Sequence, residues 1–107
     1  SMNKFIDEGV KEGYEFIVIE PQDCYNKAIV AFDDGRLVYD VEKLMNCTRK
    51  YYDWDYATAI EWFEYNTLAL TYMPSGPLFF EEDEKFYLTQ DEKCVTIKIR
   101  NKIMEDK

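Results

Sequence analysis

The sequence contains no histidine. That absence removes the side chain that most often acts as a general base near neutral pH, and with it Ser-His and Cys-His nucleophilic sites and most zinc sites. Cysteine is scarce: Cys24, Cys47 and Cys94 are odd in number and fit no C-x-x-C spacing. This is a pattern of free thiols in a reducing compartment rather than of a disulfide frame, and we read all three as small core residues. The 4 glycines build no phosphate-cradling loop, because the glycine-bearing turns lack the lysine and helix start that a nucleotide requires. Long apolar runs are missing too. The longest uncharged run, residues 65–80, spans 16 positions and is interrupted at Pro74 and Pro77, too short to cross a bilayer. No apolar run follows Met2, which argues against a secretion signal. The expectation is a soluble protein located in the cytoplasm of a bacterial host, with no membrane partner and no cofactor.

What is present is the material of a packed core. The 107 residues are 47% apolar and 17% aromatic, more apolar surface than a disordered chain carries. A chain of this length forms one domain that buries roughly two thirds of its unfolded surface, so neither a metal nor a disulfide is required for stability. There is no internal repeat.

Charge is distributed unevenly along the chain. Residues 1–50 hold 7 basic and 10 acidic groups, a balance of −3; residues 51–92 hold 1 and 10, a balance of −9; residues 93–107 hold 5 and 2, a balance of +3. The formal −9 of the whole chain therefore equals the charge of its middle stretch. Such a surface repels nucleic acid and attracts basic partners if the fold gathers the carboxylates on one side.

Two amphipathic helices are expected within residues 40–73. In the first, Asp40 is the N-cap, and Val41, Leu44, Met45 and Thr48 fall at the i, i+3, i+4, i+7 spacing of one buried face. Arg49 and Lys50 occupy its last turn, where positive charge offsets the helix dipole. The second helix starts at Asp53 or Asp55 and runs to about Asn66. Ala59, Ile60, Phe63 and Thr67 form its inner face, Glu61 and Glu64 a solvated one, and Trp62 and Tyr65 lie between. Ahead of the helices, two apolar runs flank Asp34-Gly35, the pair favoured by a two-residue type I′ hairpin turn. That turn sets Asp33 against Arg36, Phe32 against Leu37 and Val30 against Tyr39, with Ile29, Ala31 and Val38 on the other face. Apolar residues on both faces place this hairpin centrally, under the helices on one side and under more chain or a second subunit on the other.

The remaining segments read less sharply. Residues 3–13 suggest a short helical turn or a loosely held arm. The β-branched run in residues 14–20 suits a short buried strand ending at Pro21, with residues 21–27 as a loop. Residues 68–73 suit a helical extension or a strand equally, and the Pro74-Ser75-Gly76-Pro77 sequence ends them with a turn. Residues 78–80 lead into the acidic run Glu81-Glu82-Asp83-Glu84. Further strands are expected at residues 86–88 and 94–100, the latter a one-face-buried edge strand, and residues 101–107 fray. The fold class is α+β: a single small domain with an antiparallel sheet around the central D-G hairpin, packed against two helices.

Chemistry is thin. Asp33-Asp34, the Asp53 and Asp55 pair and the 81–84 run carry carboxylates of the kind that hold Mg²⁺ or Ca²⁺, but their spacing matches no EF-hand loop. A hairpin turn, a helix cap and a solvated loop account for them without a metal. Paired carboxylates could also perform acid and base chemistry given a pocket that shifts their pKa values. We therefore expect no catalytic residue and no metal ligand.

The runs AIVAFDDGRLVYDVEKLM and YATAIEWFEYNTLALTYM within residues 28–73 resemble a family of small phage and prophage proteins of Gram-positive bacteria. Those proteins combine a D-G hairpin, a V-Y-x-x-E-K-L helix and an A-I-E-W/F-x-x-Y-N-T helix. The resemblance covers a little under half of the chain. This sequence departs from the pattern between the helices, where Lys50-Tyr51-Tyr52-Asp53 replaces an acidic D-G-M connector. The family offers no catalytic residues to carry over; the resemblance implies a phage setting, in which small acidic proteins often bind host machinery.

Three readings follow. In the first, the chain is a non-enzymatic inhibitor of a host nucleic-acid-handling protein, an anti-CRISPR or other anti-defence protein, whose carboxylates occupy a basic groove as a nucleic-acid mimic. Its partner-binding residues would be Asp53, Trp54, Asp55, Glu61, Trp62, Glu64, Tyr65, Glu81, Glu82, Asp83 and Glu84, with Tyr51 and Tyr52 as further aromatic anchors. It would bind a basic protein and no nucleic acid directly. In the second, the chain is a homodimer or an accessory subunit of a phage assembly. In the third, it is a small enzyme using carboxylates and a metal.

Overall fold

The computed structural model describes residues 3–81. The expectations for Glu82, Asp83, Glu84 and Cys94, and for strands at residues 86–88 and 94–100, lie outside the described residues. The chain opens with helix α1 (Lys4–Lys11), whose first turn is held by the Asn3 side chain accepting the Phe5 N–H at 2.9 Å. Of the two expectations for this stretch, the helical one is observed. A short helix α2 (Gln22–Tyr25) and a 3-10 turn (Asn26–Ala28) then lead into strand β1 (Ile29–Asp33). Residues 21–27 were expected to be a loop; the stretch instead closes a helical turn through the Tyr25 N–H, which donates to the Pro21 carbonyl at 3.0 Å.

Strand β2 (Arg36–Asp40) returns antiparallel to β1 through Asp34 and Gly35, whose φ angles of 55° and 77° are those of the type I′ turn. Asp33 faces Arg36 and Phe32 faces Leu37, as the sequence predicts. Beyond that the register shifts: a bulge between Ile29 and Ala31 sets Ile29, not Val30, opposite Tyr39. The extra residue reverses the alternation. Ile29 and Phe32 therefore both lie on the face of Leu37 and Tyr39, and the expectation that Ile29 shares a face with Val38 is corrected.

Helix α3 (Val41–Tyr52) follows directly, with the Asp40 carboxylate accepting the Lys43 N–H at 3.0 Å. Its buried residues are Val41, Leu44, Met45 and Thr48, the predicted face. Asp53 ends it in the left-handed conformation (φ 60°, ψ 47°), and its N–H closes on the Arg49 carbonyl. Helix α4 (Tyr56–Asn66) then starts at an Asp55 cap and buries Ala59 and Phe63. A 3-10 stretch (Leu68–Tyr72) extends it, so the helical alternative holds for this segment.

Strand β3 (Leu78–Phe80) pairs parallel with β2, giving the order β1-β2-β3 with β2 at the centre. The fold is the expected small α+β domain, with a sheet that is mixed rather than purely antiparallel. Its core joins one sheet face to α3 and α4: the Phe63 ring meets Phe79 edge to face at 5.0 Å, and Phe79 lies 6.3 Å from Tyr39. Residues 14–19 form no strand; they pass against the hairpin, where Tyr14 and Phe16 meet Phe32, without a ladder. Other bonds fix them instead: the Tyr14 N–H to the Gly9 carbonyl at 3.0 Å, the Ile17 N–H to the Ser75 carbonyl at 3.1 Å and the Ile19 N–H to the Tyr39 hydroxyl at 3.0 Å. Phe16 meets Phe32 edge to face at 5.2 Å, and both rings press on Gly9, where a Cβ would sit 2.6 Å from Phe16 and 2.8 Å from Phe32. Only a glycine in α1 permits that approach.

Candidate partner-binding surface

The junction between α3 and α4 is built from rings. Tyr51 meets Tyr52 edge to face at 4.8 Å, Tyr52 stacks on Trp54 at 4.5 Å with planes 17° apart, and Trp54 leans on Trp62 at 5.5 Å. The left-handed Asp53 makes this possible. It turns the chain sharply enough for Trp54, two residues beyond α3, to lie back against Tyr52 in its last turn. Tyr51, Tyr52 and Trp62 remain exposed, Trp62 at 44%, while Trp54 is half-buried. Large rings ordered against one another have already given up much of the rotamer freedom that a contact would otherwise cost.

Helix α4 separates the remaining predicted residues by their angle around its axis. At about 100° per residue, Glu64 lies roughly 160° from Trp62, and Glu61 and Tyr65 fall between them on the outward face. Among the described residues Tyr65 is the most exposed of the large hydrophobic side chains, at 80%. On the Glu64 flank the fold gathers an acidic group around Tyr56. Burial, and then the charges of Glu81, Glu42 and Glu64, push the Tyr56 hydroxyl above its ordinary range. Carboxylates from α3, α4 and the end of β3 thus act on a single ring. From Tyr51 to Glu81 the chain has no lysine or arginine.

Asp53 and Asp55 have local tasks. Asp53 supplies the left-handed turn, and the Asp55 carboxylate accepts the Thr58 N–H at 2.8 Å, which holds its pKa below the usual carboxylate value. Both are exposed. The predicted residues therefore form three adjoining parts. Trp54 and Trp62 lie in the aromatic file, Glu61 and Tyr65 on the outer face, and Glu64 and Glu81 beside Tyr56. Tyr56 and Glu42 were not foreseen. Tyr56 follows the Asp55 cap and reads as an ordinary first-turn residue, and Glu42 belongs to the preceding helix, so only the packing of α3 against α4 joins them.

The carboxylates offer no metal centre in the described part. Asp34 sits in the hairpin turn, Asp55 is committed to its cap, and among the described residues no three His, Cys, Asp or Glu side chains gather as metal ligands would. Among the described residues no helix is long and apolar enough to cross a membrane. No protein-family model, curated protein or solved structure matches the chain.

Proposed function

We propose that this chain is a non-enzymatic binding protein that engages a basic, nucleic-acid-handling host protein and blocks its groove, in the manner of an anti-defence inhibitor encoded by a phage. The observation that carries this reading is the ordered file Tyr51-Tyr52-Trp54-Trp62, exposed at all but the half-buried Trp54 and ending on a helix that bears carboxylates and no basic residue. Buried rings at an interface centre commonly supply most of the affinity, while surrounding charge steers the encounter. Rings on one flank of α4 and carboxylates on the other suit a groove with an apolar wall opposite a basic one. Glu61 and Tyr65 lie at its floor. In this arrangement the carboxylates stand where phosphates would otherwise bind.

The test compares three forms of the chain as bait in a nuclease-treated lysate of a Gram-positive bacterium: the native protein, a Trp54→Ala/Trp62→Ala variant and a Glu61→Gln/Glu64→Gln variant. The reading expects one basic nucleic-acid-binding protein retained by the native chain and displaced by added DNA or RNA. The aromatic variant loses it at all salt concentrations. The amide variant weakens it mainly at low salt, where surface charge is least screened. Equal retention by all three forms overturns the proposal.

A further inference from the structure

Between α2 with the 3-10 turn that follows it and α3 lies an open cleft of about 390 Å³. Cys24 and Cys47 line it together with Lys27, Lys50, Asp23 and Tyr51. Both cysteines are free and half-buried, at the border of the core rather than within it, which corrects their expected role as core filler. Cys24 Sγ donates to the Cys47 carbonyl oxygen at 3.4 Å. A carbonyl oxygen lies at most roughly 2.7 Å from its own Cα, so Cys24 Sγ is within roughly 6 Å of the Cys47 Cα. That bound sets the two cysteines next to each other, the first requirement of a disulfide.

We infer that Cys24 and Cys47 form a dithiol site that exchanges with small anionic disulfides, closing to an intramolecular disulfide within this cleft. The lysines are the second part of the argument. On a chain of net charge −9, Lys27 and Lys50 beside a single Asp23 make a local basic spot at the thiols, suited to a disulfide that carries carboxylates. The order of attack follows from the environment. Burial first, and then the neighbouring Cys47, push the Cys24 thiol up to about 11, so Cys24 keeps its proton near neutral pH and is assigned the second step of the exchange.

The exchange balances in two steps. The Cys47 thiolate bonds to one sulfur of the incoming disulfide, whose S–S bond breaks, and the departing thiolate takes up a proton. Cys24 then gives up its proton and its sulfur attacks that of Cys47, releasing the second small thiol. The protein dithiol is oxidised by two electrons, and the small disulfide is reduced to two thiols.

The experiment uses the full chain carrying Cys94→Ser, reduced, and treated with glutathione disulfide as the anionic probe and cystamine as the cationic one. Intact mass and peptide mapping read the products, and circular dichroism confirms that each variant is folded. The expected product is a chain lighter by two hydrogens with Cys24 linked to Cys47. Adding Cys24→Ser stops the reaction at one glutathione adduct on Cys47, and adding Lys27→Gln or Lys50→Gln slows reaction with glutathione disulfide about two- to fivefold, the scale of an exposed charge contact. A stable adduct on the intact pair, no reaction, or cystamine reacting as fast as glutathione disulfide would each overturn the assignment.

Discussion

The Tyr39 hydroxyl accepts the backbone N–H of Ile19 at 3.0 Å, tying a segment that belongs to no sheet to the central strand. Tyr39 is fully buried and Ile19 nearly so. The bond therefore satisfies an amide that has neither water nor a strand partner. Replacing Tyr39 with Phe keeps the ring against Phe79 but orphans that N–H. The expected loss is about 1–3 kcal/mol in chemical denaturation, with hydrogen exchange accelerated first at Ile19.

The same burial gives the fold an alkaline limit. The Tyr39 hydroxyl is raised from 10.0 to about 12 by desolvation, against the lowering effect of the Ile19 bond, and Cys24 from 9.0 to about 11. A group whose folded pKa lies above its unfolded value contributes stability below the unfolded value and loses it as pH rises through the folded one. Stability should hold to about pH 9 and decline progressively to about pH 12. Tyr39 accounts for roughly 2–3 kcal/mol of the fall. Denaturation midpoints across this window check it: the Tyr39→Phe variant, less stable at pH 8, should show a shallower decline.

Arg36 joins the hairpin to the chain that returns as β3. Its Nε donates to the Gly76 carbonyl at 2.8 Å, and its guanidinium also donates to the Thr71 carbonyl. A lysine keeps the charge but not the fork that reaches two carbonyls at once. We expect Arg36→Lys to cost about 1.5–3 kcal/mol, measured by thermal melting, with loosening of residues 71–77 visible in hydrogen exchange. Gly76→Ala should act at the same place, because an added methyl would run into the Leu70 carbonyl.

Much of the fold was legible where the signal was local. Asp34-Gly35 determined the turn, and the spacing of Val41, Leu44, Met45 and Thr48 determined the buried face of α3. The readings failed where the deciding partner was distant in sequence. The bulge at Ile29 serves the core under α3, the parallel strand Leu78–Phe80 exists only because β2 offers it an edge, and residues 14–19 are satisfied by Ser75 and Tyr39 instead of a ladder. The candidate surface divides in the same way. Trp54 and Trp62 could be named as aromatic anchors, but their contact depends on the left-handed Asp53, and the approach of Glu42 and Glu81 to Tyr56 depends on how α3 and the end of β3 pack beside α4.

The aromatic file should be separable from stability. Trp62 is 44% exposed, so Trp62→Ala is expected to lower stability by no more than about 1–2 kcal/mol, less than the cost of truncating a fully buried ring, as read by chemical denaturation. Phe63→Ala, one residue on and almost fully buried, should cost about 3–5 kcal/mol.

The most direct test of the binding proposal is affinity capture from nuclease-treated Gram-positive lysate with the native chain and the Trp54→Ala/Trp62→Ala variant, both verified as folded, in the presence and absence of competing nucleic acid. The account predicts that a basic nucleic-acid-binding protein is retained by the native chain alone and released by the competitor. Equal retention by the two forms, or retention that nucleic acid does not displace, would contradict it.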